Sequence, residues 1–313
     1  MSEPEQRSAA AAWQRILQRP ASHDEALDFL RSEADRAYGG SPGSAPDTDD
    51  IVVRWVWRTQ GGLEAKRLRS SDAALLKAAR LYQDYLQLRP DDAEARQRDA
   101  ICRLTVHGSA HSADKEAEDA AAEDLVNNNS AFADPLFVDQ CLQRALDDGH
   151  DVAAAQAAEL LGTIGAARTL QRGRLDADGK TSALGQALSH PNRRVRFAAA
   201  KAVSSLRTDE SFDGAGRLAN VLEYFATSRG QRAAVVGHPN REMARHLAGM
   251  LASRGLQVAI ATSARDVEAA AASSADVELI FISDAMNDMS VWSAIEMLRV
   301  NPRSARVPVA ILV

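Results

Sequence analysis

From Arg232 to Val313 the chain alternates short apolar runs with amphipathic stretches and leaves almost no irregular sequence between them. RAAVVGHP reads as a buried strand ending in a loop. REMARHLAGMLASRG reads as a helix closed by Gly255, with Met243, Leu247, Met250 and Leu251 turned inward. LQVAIAT is a second strand, RDVEAAAASSA a short helix, VELIFIS a third strand and VWSAIEMLRV a third helix. RVPVAILV is a fourth strand after the NPRSAR loop. Alternation of this kind implies a parallel sheet with helices on its faces, and continuous apolar strands fit a sheet covered on both sides.

The remainder is helix-rich. At 313 residues the chain has room for two or three domains. In the first region, 1–125, the cluster YGGSPGSAPDTDD cannot continue a helix and reads as a flexible loop near residues 39–50. DIVVRWVWRTQ follows as a short buried segment that periodicity does not assign to helix or strand, with Trp55 and Trp57 as packing residues. Leu75, Leu76, Ala79, Tyr82, Leu86 and Leu88 recur at helical spacing. A break at Arg89-Pro90-Asp91-Asp92 leads into a second, antiparallel helix. KEAEDAAAEDL is a solvated helix face or linker.

A second region, 134–228, repeats itself. DQCLQRALDDGHDVAAAQAAELLGTIG aligns with ALGQALSHPNRRVRFAAAKAVSSL, placing Val152 on Val195, Ala155 on Ala198 and Leu160 on Val203. Each copy has a short first helix, a polar turn and an Ala-rich second helix. Asp151 and Asn192 are the expected caps.

Three resemblances follow from these strings. AARLYQDYLQLRPDDAEAR resembles part of a tetratricopeptide (TPR) repeat over about one unit, and HPNRRVRFAAAKAVSSL resembles the second helix of a HEAT repeat. The HEAT resemblance implies a structural role for Arg196, bonding neighbouring turns. The strings AVVGHPNREMARHLAGMLASRGLQVAIAT and MLRVNPRSARVPVAIL resemble the receiver domain of bacterial response regulators. The expected fold is therefore multidomain. An α-helical repeat region, TPR-like and HEAT-like in the manner of an α-solenoid, precedes a flavodoxin-like, receiver-like α/β parallel sheet over 232–313. That sheet is incomplete at its C-terminus. The family's fifth strand is missing, so the fourth is expected at an open apolar edge, with the chain a fragment or the missing strand supplied from outside.

The receiver resemblance also implies where phosphoryl chemistry would sit. An acidic pair that holds magnesium falls on Gly237 and His238, the phosphoacceptor on Ser283 and the hydroxyl position on Val313. Magnesium needs carboxylate oxygens, and without it the transferred charge has no clamp. A slip of one residue would place Asp284 in the acceptor slot without restoring the pair. Asp284 is thus the alternative acceptor, and Asp288 a lesser polar candidate.

Other chemistry is weaker still. Gly179-Lys180-Thr181 ends like a phosphate-binding loop, but Gly173 lies one residue too far upstream and no strand precedes it. Cys102, His107 and His111 have no fourth ligand at suitable spacing and lie in a segment read as loop-like. Arg193 and Arg194 could meet an acidic partner at a repeat turn. Two distant cysteines, Cys102 and Cys141, give no disulfide framework and are expected as buried reduced thiols. A net charge of −6 supplies no basic field for nucleic acid or lipid. With no signal segment and no apolar run long enough to span a bilayer, a cytoplasmic protein is expected.

The leading expectation is a non-enzymatic signalling scaffold that binds a protein partner, without cofactor or metal, its pseudo-receiver serving as a docking module. A phosphorylatable switch using Asp284 is the alternative. A nucleotide-binding enzyme using Gly179, Lys180 and Thr181 comes third.

Overall fold

The computed structural model describes residues 22–41, 43, 45–58, 62–110, 130–165, 170, 182–206, 212, 214–301 and 303–313. The chain divides into two compact units, 1–166 and 167–313. Of the two segments aligned as repeats, one falls in each unit. Among the described residues, no helix is long and apolar enough to cross a membrane.

Among its described residues, the first unit is helical apart from one hairpin. Helix α1 (His23–Tyr38) starts on a reciprocal cap, in which Ser22 Oγ accepts from Glu25 N and the Glu25 carboxylate accepts from Ser22 N. Strands β1 (Ile51–Arg58) and β2 (Gly62–Arg69) pair antiparallel along their full length. DIVVRWVWRTQ is therefore a strand over its described part, alternating between buried Val52 and exposed Val53. Trp55 corrects the expectation of packing, because it stands on the outward face at 63% exposure. The side chain of Trp57 lies outside the described residues.

Helices α2 (Ser70–Leu88) and α3 (Ala93–Ala110) flank the expected break, and Asp92 Oδ1 accepts from Ala95 N to start the second of them. Pro135 opens α4 (Pro135–Asp148), Asp134 caps it through Leu136 N, and left-handed Gly149 ends it. Helix α5 (Asp151–Thr163) begins at Asp151 itself. The capping position belongs to His150, which makes no side-chain cap bond, so Asp151 is corrected from cap to first helical residue.

A polar network ties the first four helices. Asp35 accepts from Tyr82 Oη, Arg31 and Arg98. Asp92 accepts from Arg31 and Tyr85, and Tyr38 Oη donates to Asp148 at 2.7 Å. Because every carboxylate here meets a guanidinium or phenol, charge can be half-buried between helices without a stranded ion.

The second unit opens with α6 (Ala183–Ala187), α7 (Arg193–Leu206) and α8 (Ala215–Ala226). Asn192 caps α7 as expected, its Oδ1 accepting from Arg194 N at 2.9 Å. Then come β3 (Ala233–Gly237), α9 (Arg241–Ala252), β4 (Gln257–Ala261), α10 (Ala264–Ala272), β5 (Val277–Ser283), α11 (Val291–Val300) and β6 (Val309–Leu312). All four strands are parallel, in the order β4-β3-β5-β6, with β4 and β6 at the edges.

Helices α10 and α11 cover one face of the sheet, over a core that includes Val235, Val267, Ile280, Ile282, Ala294 and Leu298. Helix α9 lies against β3 and β4 through a narrow stripe centred on buried Ala244. Met243 and Met250, expected inward, are 57% and 55% exposed. The small alanine lets α9 approach closely, which leaves the two methionines on its flank.

Candidate functional site

In a parallel α/β sheet, ligands and chemistry gather where the strands end. Here Gly237 pairs with Ala261 and with Ile282, and Ser283 pairs with Leu312. The registers therefore bring Gly237, His238, Ser283, Asp284 and Val313 to one edge of the sheet.

The interior of that edge is apolar. A Cβ built on Gly237 would lie inside 3.0 Å of Val267 Cγ2, with Ile282 Cγ1 and Met286 Cε each 3.6 Å away. Val267 comes from α10, Ile282 from β5 and Met286 from the turn beyond β5, and all three belong to the sheet's core. Space that a side chain at position 237 would need is already filled.

The flanking groups are engaged with their own loops. His238 N donates to Ala261 O at 3.0 Å, and its Nδ1 accepts from Asn240 N at 2.9 Å. Asn240 Oδ1 accepts in turn from Glu242 N at 2.8 Å and caps α9. Ser283 is 3% exposed, and its Oγ accepts from Ala285 N at 3.2 Å.

Of the two acids, Asp288 is structural. Both of its carboxylate oxygens lie 3.0 Å from Ala264 N, and Oδ2 also meets Arg265 N at 3.4 Å. With Ser263 Oγ accepting from Asp266 N, it satisfies the first-turn donors of α10. The hydrogen bond from Ala264 N holds the Asp288 carboxyl below the usual aspartate value. Asp284 is exposed; its backbone N donates to Leu312 O at 3.0 Å, and its carboxylate has no bonding partner among the described residues.

A magnesium ion does not fit these residues. Glycine offers no side-chain ligand, Asp288 is engaged with backbone donors, and one free carboxylate is too few for a hard cation. Among the described residues, no group of three or more His, Cys, Asp and Glu side chains is placed to hold a metal.

The remaining candidates scatter. Arg193 lies 3.6 Å from Asp276 and 3.4 Å from Glu278, so its charge is taken up inside its own unit, whereas Arg194 is exposed. Arg196 Nη1 donates to His190 O and Pro191 O, each at 2.8 Å. The segment holding Cys102 and His107 is corrected from loop to helix, since both lie on α3. Five residues apart on a helix, they point about 140° from one another and cannot share an ion. His111 and Gly173, Gly179, Lys180 and Thr181 lie outside the described residues.

Sequence reasoning missed the plug of Val267, Ile282 and Met286 and the capping role of Asp288. A strand that ends on glycine beside apolar neighbours was the available signal. Compared with known proteins, the chain matches no family model, no curated protein and no solved structure.

Proposed function

We propose that this chain is a non-catalytic signalling scaffold of the cytoplasm. Its TPR-like and HEAT-like helices present a surface to a protein partner, and its α/β part is a receiver-like, flavodoxin-like docking module that has lost phosphoryl chemistry. The strand order, second-first-third-fourth along the chain, supports the flavodoxin-like assignment.

The observation that carries the loss of chemistry is the contact between position 237 and Val267. Where the switch family projects acids toward a metal, this chain has a glycine whose missing side chain makes room for a valine methyl. A sheet edge filled by core side chains positions neither a cation nor the phosphoryl oxygens it would neutralise.

Exposed Asp284 at the end of β5 supports a second reading, a switch that uses this aspartate. Incubation with a small phosphodonor and magnesium, followed by intact-mass measurement, separates the two. The scaffold reading expects no added phosphoryl group. A phosphoryl adduct present in the native chain and lost in Asp284→Ala would establish the switch instead.

A further inference from the structure

Five arginines from three separate parts of the sequence line one cavity of the second unit. Arg196 comes from α7, Arg217 from α8, Arg299 from α11, and Arg303 and Arg306 from the connection to β6. The cavity measures about 790 Å³, and Glu223 is the single carboxylate in its wall. That carboxylate is taken by Arg303 at 2.8 Å. No carboxylate among the described residues pairs with the other four arginines, in a chain whose net charge is −6. The concentration of positive charge is therefore local.

Three of these side chains are held in place by neutral groups. Arg196 bonds the carbonyls of His190 and Pro191 through one terminal nitrogen and lies over the Tyr224 ring at 5.5 Å. Arg299 Nη1 donates to Ala305 O at 3.0 Å and Val307 O at 2.9 Å, and Arg217 Nη1 donates to Ser189 Oγ at 2.7 Å. A guanidinium carries five N–H donors, so these bonds orient each fork without exhausting it. Desolvation and the charge of Arg217 lower Arg306, and desolvation followed by the charges of Arg306 and Arg193 lowers Arg196. Arginines do not shed their protons at neutral pH, so the mutual repulsion stands until an anion enters.

The geometry points to a binding site for the diphosphate or triphosphate end of a small molecule, with half-buried Ala272 and exposed Val300 as an apolar wall for its organic part. Planar forks suit phosphate oxygens, which they bond in pairs. A carboxylate, with a single negative charge, or a single phosphate ester, at about −1.5 to −2, leaves much of this charge unmatched, whereas a phosphate chain offsets more of it. The volume lies within the roughly 300–1,000 Å³ typical of small-ligand sites, and five guanidinium groups gathered around one such space suit a compact polyanion better than an extended acidic peptide, whose charges are spread along its length. This site shares no residue with the sheet edge and stands independently of the scaffold reading.

Titration calorimetry of the full chain with inorganic phosphate, inorganic pyrophosphate, adenosine diphosphate and a glutamate-rich peptide tests it. Saturable binding of pyrophosphate and adenosine diphosphate, tighter than that of phosphate and weakened by added salt, is expected. The Arg217→Ala/Arg306→Ala variant should lose about tenfold or more in affinity, equivalent to about 1.4 kcal/mol. Arg306→Gln alone, at an exposed position, keeps the fold and should weaken binding severalfold even where the double variant unfolds. Absence of saturable binding of either diphosphate, binding indifferent to both variants, or preference for the peptide would overturn the proposal.

Discussion

A methyl group of Val267 fills the space into which any side chain at position 237 would project. Gly237 sits in a strand, so its role is steric rather than conformational, and the helix α10 that carries Val267 settles against β3 only because position 237 has no Cβ. Gly237→Ala should destabilise the chain by about 1–3 kcal/mol through overpacking, measured by urea unfolding. Val267→Ala in the same chain should restore part of that loss, with a coupling of about 0.5–3 kcal/mol. Additive effects of the two substitutions would mean that the contact does not govern packing there.

Asp288 serves helix α10 rather than an ion. Asp288→Ala should cost about 1 kcal/mol, the usual worth of a helix N-terminal acceptor. Because hydrogen bonding to Ala264 N depresses its folded-state pKa, this contribution is present above the ordinary aspartate value of about 3.9 and is lost as pH falls through the folded value. The stability difference between the native chain and the variant, measured by urea unfolding, should therefore be full at neutral pH and vanish in strong acid. A difference that persisted unchanged in acid would contradict the capping role.

Asp276 joins α7 and the α8–β3 connection to the start of β5. It is 4% exposed, accepts from Ser228 Oγ and Arg229 N, and lies 3.6 Å from Arg193 Nη2. Asp276→Ala leaves two donors without an acceptor and should cost about 1–3 kcal/mol in thermal or urea unfolding. Combining it with Arg193→Ala should give less than the sum of the two losses.

Both thiols should be inert in the folded chain. Burial pushes Cys141 up to about 12, and burial with the nearby Asp99 charge raises Cys102. Neither is in a disulfide. A thiol-specific reagent should label both only after denaturation, and rapid labelling in native buffer would show that these helices open locally.

Local sequence chemistry made much of this architecture legible. Asn192 ends a polar turn and caps α7, the Arg89–Asp92 break separates α2 from α3, and the four apolar runs after Arg232 are the four parallel strands. The hairpin was not legible, because GLEAKRLR carries little apolar alternation and its register with β1 is read only from pairing. Periodicity placed Met243 and Met250 inward, since it finds an apolar stripe without saying which part meets the sheet. Beyond a strand that ends on glycine, the local sequence marks neither the plug behind Gly237 nor the arginine cavity. Val267 lies thirty residues beyond Gly237, and Arg196 meets Arg306 only after the sheet has formed.

Magnesium titration followed by amide resonances tests the central claim most directly. The amides of Gly237, His238, Ser283 and Asp284 should show no saturable shift as magnesium is added, because the space between these strand ends is filled by Val267, Ile282 and Met286. Saturable shifts confined to those four residues would contradict the claim and return the edge to phosphoryl chemistry.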